Sequence, residues 1–258
     1  MRLAWFSPLP PARTGVADCS ATLVGALRGR GHEIDPYPAE SAHDFPWQHR
    51  QRPYDLIVYQ FGNSSHHDYA WAYALRYPGL VVLHDTRLHH ARAAFLLREQ
   101  RADHYRQEFR WSHPDVPAGA AELAIAGFDS RLFYDWGMVR SLIDSSRLVA
   151  VHGEGTRREL LESTPNSQTA NSQGDWGDKV VAIRLGHGQI VSAEDRAIAR
   201  ARIRGRYGLP DAAIVFGVFG GLTPEKRIAQ VLRALRSLVP HAPAARLLLA
   251  GAPAAHYD

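Results

Sequence analysis

The stretch Asp55–Phe61, DLIVYQF, decides the fold, because it is a nearly continuous apolar run with the length of one strand. Such runs are typical of strands buried on both faces, as in parallel sheets covered by helices on each side. Before it lie the strands Arg2–Phe6 and His32–Tyr37, with an amphipathic helix that opens at Gly15 between them. After it, a helical stretch leads to the strand Leu80–Leu83. This alternation of strand and helix predicts an α/β fold with a parallel sheet and flanking helices.

Beyond this core the sequence predicts a helical segment, a return to the first sheet and then a second α/β domain. The segment Arg87–Ser146 is predicted to be largely helical, and the polar residues 163–178 are predicted to form a surface loop. The elements that complete the pattern are the strands Arg147–Val151 and Val180–Leu185 of the first sheet, and the strand Ile214–Phe219, helix Glu225–Leu238 and strand Arg246–Ala250 of a second one. We place the domain boundary near Gly186–Ser192, which assigns residues 1–190 to a complete first domain and residues 191–258 to the start of another.

The composition is that of an ordinary globular protein, with 45% hydrophobic and 22% charged residues. The net charge of +4 comes from arginines scattered over helical stretches. Nucleic-acid binding needs a more concentrated basic stripe, so we predict none. Cys19 is the only cysteine, which excludes an intramolecular disulfide and a cysteine zinc cluster. No basic leader with an apolar segment opens the chain, and no apolar run approaches the about 20 residues of a membrane span, so we expect a cytoplasmic protein.

The segment Val215–Arg227, VFGVFGGLTPEKR, predicts an anion site. An apolar strand ends there in a glycine turn, Thr223 can cap a helix, and two cations follow. Helix stability alone does not account for Lys226 and Arg227, because cations near a helix N-terminus oppose its dipole. A bound phosphate would account for them, whereas the alternative is a solvated first turn. The candidate binding residues of this segment are Gly220, Gly221, Lys226 and Arg227.

Two other strand ends carry candidate residues. The loop Ser7–Gly15 brings Thr14 and Gly15 to the start of a helix, although a simple connecting loop with a helix cap is the alternative. His84 follows the strand LVVL, and ligands of open parallel sheets bind outside the carboxyl ends of strands. Its imidazole can donate a hydrogen bond to a sugar hydroxyl or a phosphate oxygen, or it can have a structural role on a backbone carbonyl.

Signatures of other enzyme classes are missing from the sequence. The dinucleotide fingerprint GxGxxG, the phosphate loop GxxxxGK[ST] and the nucleophile elbow GxSxG do not occur. A metal site is a possible interpretation of the histidines near His84, which are His66, His67, His89 and His90. They lack the spacing of metal ligands, and adjacent histidines on a helix point in different directions, so we predict no metal.

Taken together, these segments resemble the retaining glycosyltransferases of family 4, which have the GT-B architecture of two Rossmann-like domains. The likeness extends over essentially the whole chain and rests on the order and spacing of SPLPPARTGVADCSATLVGALRGRGHEID, YQFGNSSHHDY, PGLVVLHDTRLHH, RLVAVH, VVAIRLGHG and FGGLTPEKRIAQVLRAL. It implies an N-terminal acceptor-side domain and a C-terminal domain that binds a nucleotide-sugar. It also implies transfer of a sugar from a nucleotide-diphosphate donor to a glycan or lipid-linked acceptor, as in polysaccharide biosynthesis, without a metal or another cofactor.

The resemblance also implies roles for particular residues. Thr14 and Gly15 correspond to the loop that faces the donor diphosphate and the acceptor. His84 corresponds to the histidine that contacts the transferred sugar, and it is the candidate catalytic residue. Lys226 corresponds to the lysine on the diphosphate. The family often has arginine where this chain has Gly221, and Arg227 offers a replacement for that charge.

The chain departs from the family in one larger respect. Two glutamates seven residues apart, which hold the donor in the family, have no counterpart here, and neither has the nucleobase pocket. We therefore expect a fragment with an incompletely covered second sheet and little or no transferase activity by itself. The alternatives are a non-catalytic module that binds a glycan or a partner, and another GT-B enzyme such as a nucleotide-sugar epimerase. A membrane-linked acceptor would contact an amphipathic surface around Phe95, Leu96, Leu97 and Trp111, whereas a soluble helical insertion would not.

Overall fold

The computed structural model describes residues 1–128, 132–163, 176–186, 190–222 and 226–251. Contacts within the chain form two compact units, a first unit of Met1–Gly188 and a second unit of Gln189–Asp258. Most of the surface loop predicted at 163–178 lies outside the described residues. At the end of this predicted loop, Trp176–Lys179 forms a short helix.

The first unit contains a six-stranded sheet in the spatial order β2-β1-β3-β4-β5-β6. All of its neighbouring strands pair in parallel. The strands are β1 (Arg2–Phe6), β2 (Glu33–Tyr37), β3 (Leu56–Phe61), β4 (Leu80–Leu83), β5 (Leu148–Val151) and β6 (Val180–Ala182). Helices flank this sheet, so the predicted α/β fold with a parallel sheet is confirmed, and the arrangement is consistent with a Rossmann-like fold.

Alternation along the strands divides the buried side chains between two cores. In β1, Ala4 and Phe6 belong to a large core, whereas Leu3 and Trp5 belong to a smaller one. The larger core is rich in aromatic rings, and the ring of Phe6 lies 4.9 Å from that of Tyr59 between centroids. Because successive side chains of a strand point to opposite faces, both faces of the sheet are buried. This double burial explains why the strands are continuous apolar runs.

The described helices of the first unit follow the strands with short connections. Thr14 caps the first of them, in agreement with the alternative of a connecting loop with a helix cap, and its Oγ1 accepts from the Ala17 N–H at 3.0 Å. Single 3-10 turns lie at Ala42–Asp44 and Ser65–His67. The helices are α1 (Gly15–Arg28), α2 (Phe45–Gln51), α3 (Ala70–Arg76), α4 (His89–Arg98), α5 (Ala102–Ser112), α6 (Gly119–Ile125), α7 (Leu132–Asp135), α8 (Arg140–Ser145), α9 (Glu154–Glu162) and α10 (Trp176–Lys179).

The segment between β4 and β5 is helical, as predicted, and most of it has a core of its own. The buried residues of this core are Ala93, Leu96, Tyr105, Phe109, Ala121, Ala124 and Met138. Phe95 and Leu97 pack against it, so Trp111 is the largely exposed member of the four residues considered for a membrane surface. Within the described residues, no helix has the length and apolar character that crossing a bilayer requires.

The described part of the second unit pairs two parallel strands, β7 (Val215–Phe219) and β8 (Arg246–Ala250), and adds helices α11 (Ala193–Arg206) and α12 (Ile228–Leu238). Arg227 has φ 51° and ψ 40°, in the left-handed region, and α12 begins only after it. A left-handed residue cannot continue a right-handed helix. The prediction that Lys226 and Arg227 lie in the first turn is therefore wrong. The predicted cap, Thr223, lies outside the described residues.

Among the described residues, the second sheet is poorly covered, as expected from two strands accompanied by one helix between them. Phe216 and Leu249 share one face by the register of β7 and β8, and Ile214 precedes Phe216 by two residues. They are 45%, 38% and 58% exposed, respectively. α12 contains no buried residue, although its apolar side chains lie along one side of the helix.

Candidate functional site

The carboxyl ends of the parallel strands meet at one edge of the first sheet. β1 is the point at which the strand order reverses, because β2 lies on one side of it and β3 on the other. Ligands of open α/β sheets bind outside the carboxyl ends of strands at such a switch point. The loop that begins at Ser7 leaves this edge after β1. Gln60, His84 and His152 lie at or just beyond the ends of β3, β4 and β5.

The hydroxyls in the loop after β1 already have partners inside the chain. Oγ1 of Thr14 serves as the cap of α1. Ser7 is buried, and its hydroxyl lies 2.7 Å from that of Ser20. Gly15 is exposed, and a Cβ built there would meet nothing within 4 Å, so the start of α1 leaves room for a ligand. Contact of Thr14 and Gly15 with a diphosphate stays a prediction.

Both ring nitrogens of His84 have partners inside the first unit. The main-chain N–H of His84 donates to the Phe61 carbonyl at 2.8 Å, which holds the residue against β3. Nε2 lies 2.6 Å from Oε1 of Gln60, a residue of β3 that is 1% exposed. Nδ1 lies 3.1 Å from Nε2 of His152. A ligand can therefore hydrogen-bond to a ring nitrogen of His84 only if it displaces Gln60 or His152.

His152 reaches His84 through the register of β4 and β5. Leu83 pairs with Val151, so the residues that follow them stand side by side. The two imidazole rings are 4.6 Å apart between centroids and inclined by 55°. Nδ1 of His152 is buried and makes no hydrogen bond of normal geometry within the described residues.

His67 completes the group from the side of β3. Its Nδ1 lies 2.9 Å from the carbonyl oxygen of Gln60, and the residue is 2% exposed. Gly62 gives the ring room, because a Cβ at position 62 would stand 3.0 Å from Nε2 of His67. We call Gln60, His67, His84 and His152 the histidine cluster.

Burial keeps the histidine cluster uncharged near neutral pH. Burial, and to a smaller extent the neighbouring His152 and His67, lower the pKa of His84 to about 4. Burial also lowers the pKa of His67 to about 4, against the effect of its bond to the Gln60 carbonyl. It lowers the pKa of His152 as well, and the adjacent main chain of Ile183 opposes that shift. Neutral imidazoles exchange hydrogen bonds with hydroxyls, but they do not attract anions by charge.

The histidines considered for a metal are dispersed. His89 lies in the core of the helical segment, with Nε2 2.8 Å from the Tyr105 hydroxyl, whereas His66 and His90 are exposed. Among the described residues, no group of three His, Cys, Asp or Glu side chains is placed to hold a metal ion. Independence from a metal stays an expectation.

The glycine turn of the second unit is formed, but its lysine bonds to the turn itself. Gly220 has φ +90°, a conformation that favours glycine. Nζ of Lys226 donates to the Phe219 carbonyl at 2.8 Å. Gly251 lies against the turn, because a Cβ there would stand 1.9 Å from the Gly220 carbonyl oxygen. The remaining candidates in this segment, Gly221 and Arg227, are exposed, and the predicted diphosphate contacts stay predictions.

Two members of the histidine cluster, Gln60 and His152, were missed by sequence reasoning. A signal for each was present. Gln60 is an amide within an otherwise apolar and aromatic strand, LIVYQF. His152 follows the strand LVAV just as His84 follows LVVL. The repeated pattern of an apolar strand with a terminal histidine indicates two imidazoles at one sheet edge.

No protein-family model matches the chain, and no curated protein matches its sequence significantly. The resemblance to family 4 glycosyltransferases therefore rests on the sequence segments quoted above. The function has to be argued from the chemistry of the strand ends.

Proposed function

We propose that this chain serves a retaining, metal-independent glycosyltransferase that moves a sugar from a nucleotide-diphosphate donor to a glycan or lipid-linked acceptor. The observation that carries the proposal is the histidine cluster at the carboxyl edge of the first sheet, close to the switch point at β1. Ligands of open parallel sheets bind at this edge.

The chemistry of the histidine cluster suits a sugar. Sugar hydroxyls donate and accept hydrogen bonds without carrying charge, and neutral imidazoles and amides do the same. Glycosyl transfer passes through an oxocarbenium-like sugar that carries positive charge. Because burial keeps His84 neutral, its ring does not repel that charge. A permanently protonated side chain at the same place would oppose the transition state.

The chemistry of the glycine turn suits a diphosphate. Lys226 lies over the turn and bonds to a single, neutral carbonyl oxygen at an exposed position. A phosphate oxygen is a better partner, because it carries a negative charge that attracts the ammonium, whereas the carbonyl oxygen is neutral. A bound diphosphate would therefore draw Nζ of Lys226 away from Phe219. Exposed Arg227 offers a second cation for the same ligand.

The experiment separates recognition of the sugar from recognition of the diphosphate. The chain is titrated calorimetrically with nucleoside diphosphates and with the matching nucleotide-sugars. His84→Ala is expected to weaken nucleotide-sugar binding about fivefold, the value of one neutral hydrogen bond, and to leave nucleoside diphosphate binding unchanged. Lys226→Ala is expected to weaken both ligands about tenfold, because it removes a charged contact.

Matched controls are the exposed residues His66 and Arg236, whose alanine variants should bind both ligands like the parent chain. Failure of the parent chain to bind any nucleotide-sugar, even weakly, would count against the proposal, because the proposed contacts of His84 and Lys226 do not involve the two glutamates that have no counterpart here. So would an equal loss of both ligands in His84→Ala. In a transfer assay the product should keep the anomeric configuration of the donor. Binding is the first measurement, because it requires no acceptor.

A non-catalytic module that binds a glycan or a partner is the second candidate. It is favoured by the contacts that occupy the candidate residues: both ring nitrogens of His84 and Nζ of Lys226 bond within their own units. This candidate predicts binding of acceptor glycans without binding of nucleotide-sugars. A glycan array read beside the calorimetric titrations distinguishes the two.

A further inference from the structure

The position of the proton on His84 follows from Gln60. The structure places the amide oxygen of Gln60 2.6 Å from Nε2 of His84, and with this amide orientation Nε2 donates, because an amide oxygen can only accept. The ring is neutral near pH 7, because burial lowers its pKa to about 4. A neutral imidazole with its proton on Nε2 has a lone pair on Nδ1. His84 is therefore a hydrogen-bond acceptor on the side that faces His152.

The lone pair of His84 accepts a hydrogen bond from a donor just beyond the end of β5. Nε2 of His152 lies 3.1 Å from Nδ1 of His84 and supplies the proton of that bond. The opposite order of protons requires a reversed amide at Gln60, whose nitrogen would then donate to His84. The two orders differ in what His84 offers a ligand: an acceptor in the first order and a donor in the second.

Of the two partners of His84, His152 is the one that a ligand can replace. Gln60 is 1% exposed in the centre of the sheet, and its carbonyl is bonded to His67. His152 is half-buried and lies just beyond the end of β5. Its bond to His84 is also the longer one, at 3.1 Å against 2.6 Å.

We propose that Gln60 and His152 are positioning residues for His84. Gln60 fixes the imidazole as an acceptor, and His152 occupies the place of a ligand hydroxyl that donates to Nδ1 of His84. The inference rests on the proposed function in one respect: it takes the ligand hydroxyl to be a sugar hydroxyl. It narrows the expected chemistry: a hydroxyl can donate to Nδ1, whereas a deprotonated phosphate oxygen cannot.

Nitrogen NMR tests the proton order without any ligand. In the chain labelled with 15N-histidine, long-range proton–nitrogen spectra near neutral pH distinguish the two neutral tautomers. We expect the Nε2–H tautomer for both His84 and His152. An Nδ1–H tautomer of His84 would overturn the proposal.

Three variants assign the two positioning roles. Gln60→Met removes the acceptor with little change of shape and should allow the second tautomer of His84 to appear. His152→Ala should shift the Nδ1 resonance of His84, because the lone pair loses its donor. His152→Gln, whose amide can donate from a similar place, should restore the shift. His66→Ala is the control that leaves the His84 signals unchanged, and retention of the Nε2–H tautomer alone in folded Gln60→Met contradicts the role of Gln60.

Tryptophan fluorescence shows whether each variant is folded, since all six tryptophans lie in the first unit. If Gln60→Met unfolds, the tautomers of the parent chain and the two His152 variants still decide the question. Absence of any shift in His152→Ala contradicts the contact between the two imidazoles.

Ligand binding tests whether His152 occupies the position of a ligand hydroxyl. The probes are a nucleotide-sugar and its deoxy analogues, each of which lacks one sugar hydroxyl. One analogue should bind the parent chain about fivefold more weakly than the nucleotide-sugar does, and this difference in affinity should vanish in His84→Ala. The difference in affinity should grow in His152→Ala, because the sugar hydroxyl no longer has to displace an imidazole. An unchanged or smaller difference there overturns the role of His152.

The two proposals can fail separately. If the tautomers are as expected but no nucleotide-sugar binds, the proposed function fails and the positioning of His84 by Gln60 stands. If a nucleotide-sugar binds and His84 carries its proton on Nδ1, the positioning fails and the proposed function stands.

Discussion

Gly79 lies directly against the main chain of Ile57: a Cβ at position 79 would stand 2.2 Å from the Ile57 carbonyl oxygen. The carbonyl of Gly79 in turn accepts from the Arg147 N–H at 2.8 Å, so this glycine lies between β3 and the start of β5. A side chain fits only if a strand moves. We expect Gly79→Ala to lower the free energy of unfolding of the first unit by about 3 kcal/mol.

Urea denaturation followed by tryptophan fluorescence measures this loss. The signal reports the first unit, which contains all six tryptophans: Trp5, Trp47, Trp71, Trp111, Trp136 and Trp176. The matched control is Gly25→Ala on the exposed side of α1, where a Cβ would meet nothing within 4 Å. That variant should gain about 0.5 kcal/mol, because alanine favours a helix. Similar effects of the two substitutions would contradict the close approach at Gly79.

Acid should destabilise the first unit through its buried histidines. In the unfolded chain, His67 takes up a proton near its ordinary pKa of 6.5, whereas burial lowers its pKa in the folded chain to about 4. The unfolded state therefore binds more protons between these values, and the free energy of unfolding falls as pH is lowered through them. We expect a loss of roughly 3 kcal/mol from His67. His84 and His113, with pKa values lowered to about 4 mainly by burial, act in the same direction.

Urea midpoints measured by tryptophan fluorescence across this pH range test the effect. His67→Gln should make the dependence on pH shallower, because the titrating group is removed. His66→Gln should keep most of the dependence, since it leaves His67 buried and removes only the smaller repulsion from His66. A slope that does not change in His67→Gln would show that another group causes the acid sensitivity.

The ion pair of Arg92 with Glu108 should be costly to break. Nε and Nη2 of Arg92 donate to Oε2 of Glu108 at 2.9 and 2.8 Å, and the guanidinium lies 4.3 Å from the centroid of the Trp71 ring. Arg92 is 8% exposed, so removing the carboxylate charge leaves a buried cation without its partner. We expect Glu108→Gln to lower the free energy of unfolding by about 3 kcal/mol.

The double variant Arg92→Met with Glu108→Leu should lose less stability than Glu108→Gln, because it removes both buried charges together. The control is Glu122→Gln, which breaks the exposed pair with Arg106 and should have a smaller effect, since water solvates the remaining charge. The same fluorescence assay measures all of these variants. A larger loss from the exposed pair than from the buried pair would refute the argument.

The second unit should open more readily than the first. Of its described residues, Arg204, Ala213 and Ala245 are the buried ones, whereas β3 is buried along almost its whole length. Amide exchange through local opening follows burial. We expect the amides of Val215–Phe219 and Arg246–Ala250 to exchange faster than those of Leu56–Phe61 in hydrogen-exchange mass spectrometry.

Two substitutions test the difference in amide exchange between the two sheets. Phe216→Ser alters a half-exposed ring and should change exchange only slightly, whereas Phe61→Ser alters a buried ring of the first sheet and should accelerate exchange throughout β3 and β4. Equal protection of β7 and β3 would mean that the second sheet is covered by something other than the described residues.

The strands could be predicted from the sequence because burial on both faces produces runs such as Asp55–Phe61, of which Leu56–Phe61 forms β3. The start of α12 could not be predicted from the sequence. The pattern of Thr, Pro and Glu at 223–225 matches a helix start, but the left-handed conformation of Arg227 has no counterpart in the amino-acid pattern. The core inside the segment between β4 and β5 also depends on contacts between distant residues, such as Leu96 with Met138 in one cluster.

In the candidate site, too, some features could be predicted from the sequence and others could not. His84 could be selected because it directly follows a buried strand. Its partners could not, since the bonds to Gln60 and His152 depend on which strands are neighbours and on their register. Strand order is a property of the whole sheet, and apolar patterning within one strand does not contain it.

A long helical segment separates His84 from His152 along the chain, yet the pairing of β4 with β5 brings the two histidines together. Leu83 pairs with Val151, and a slip by one residue would move every side chain of β5 to the opposite face of the sheet. Helices α5 and α6, whose buried apolar side chains lie in a separate core, can therefore be shortened or extended in the course of evolution without moving the two imidazoles. Descendants of this sheet can acquire new surfaces beside the strand edge while they inherit the same pair of histidines.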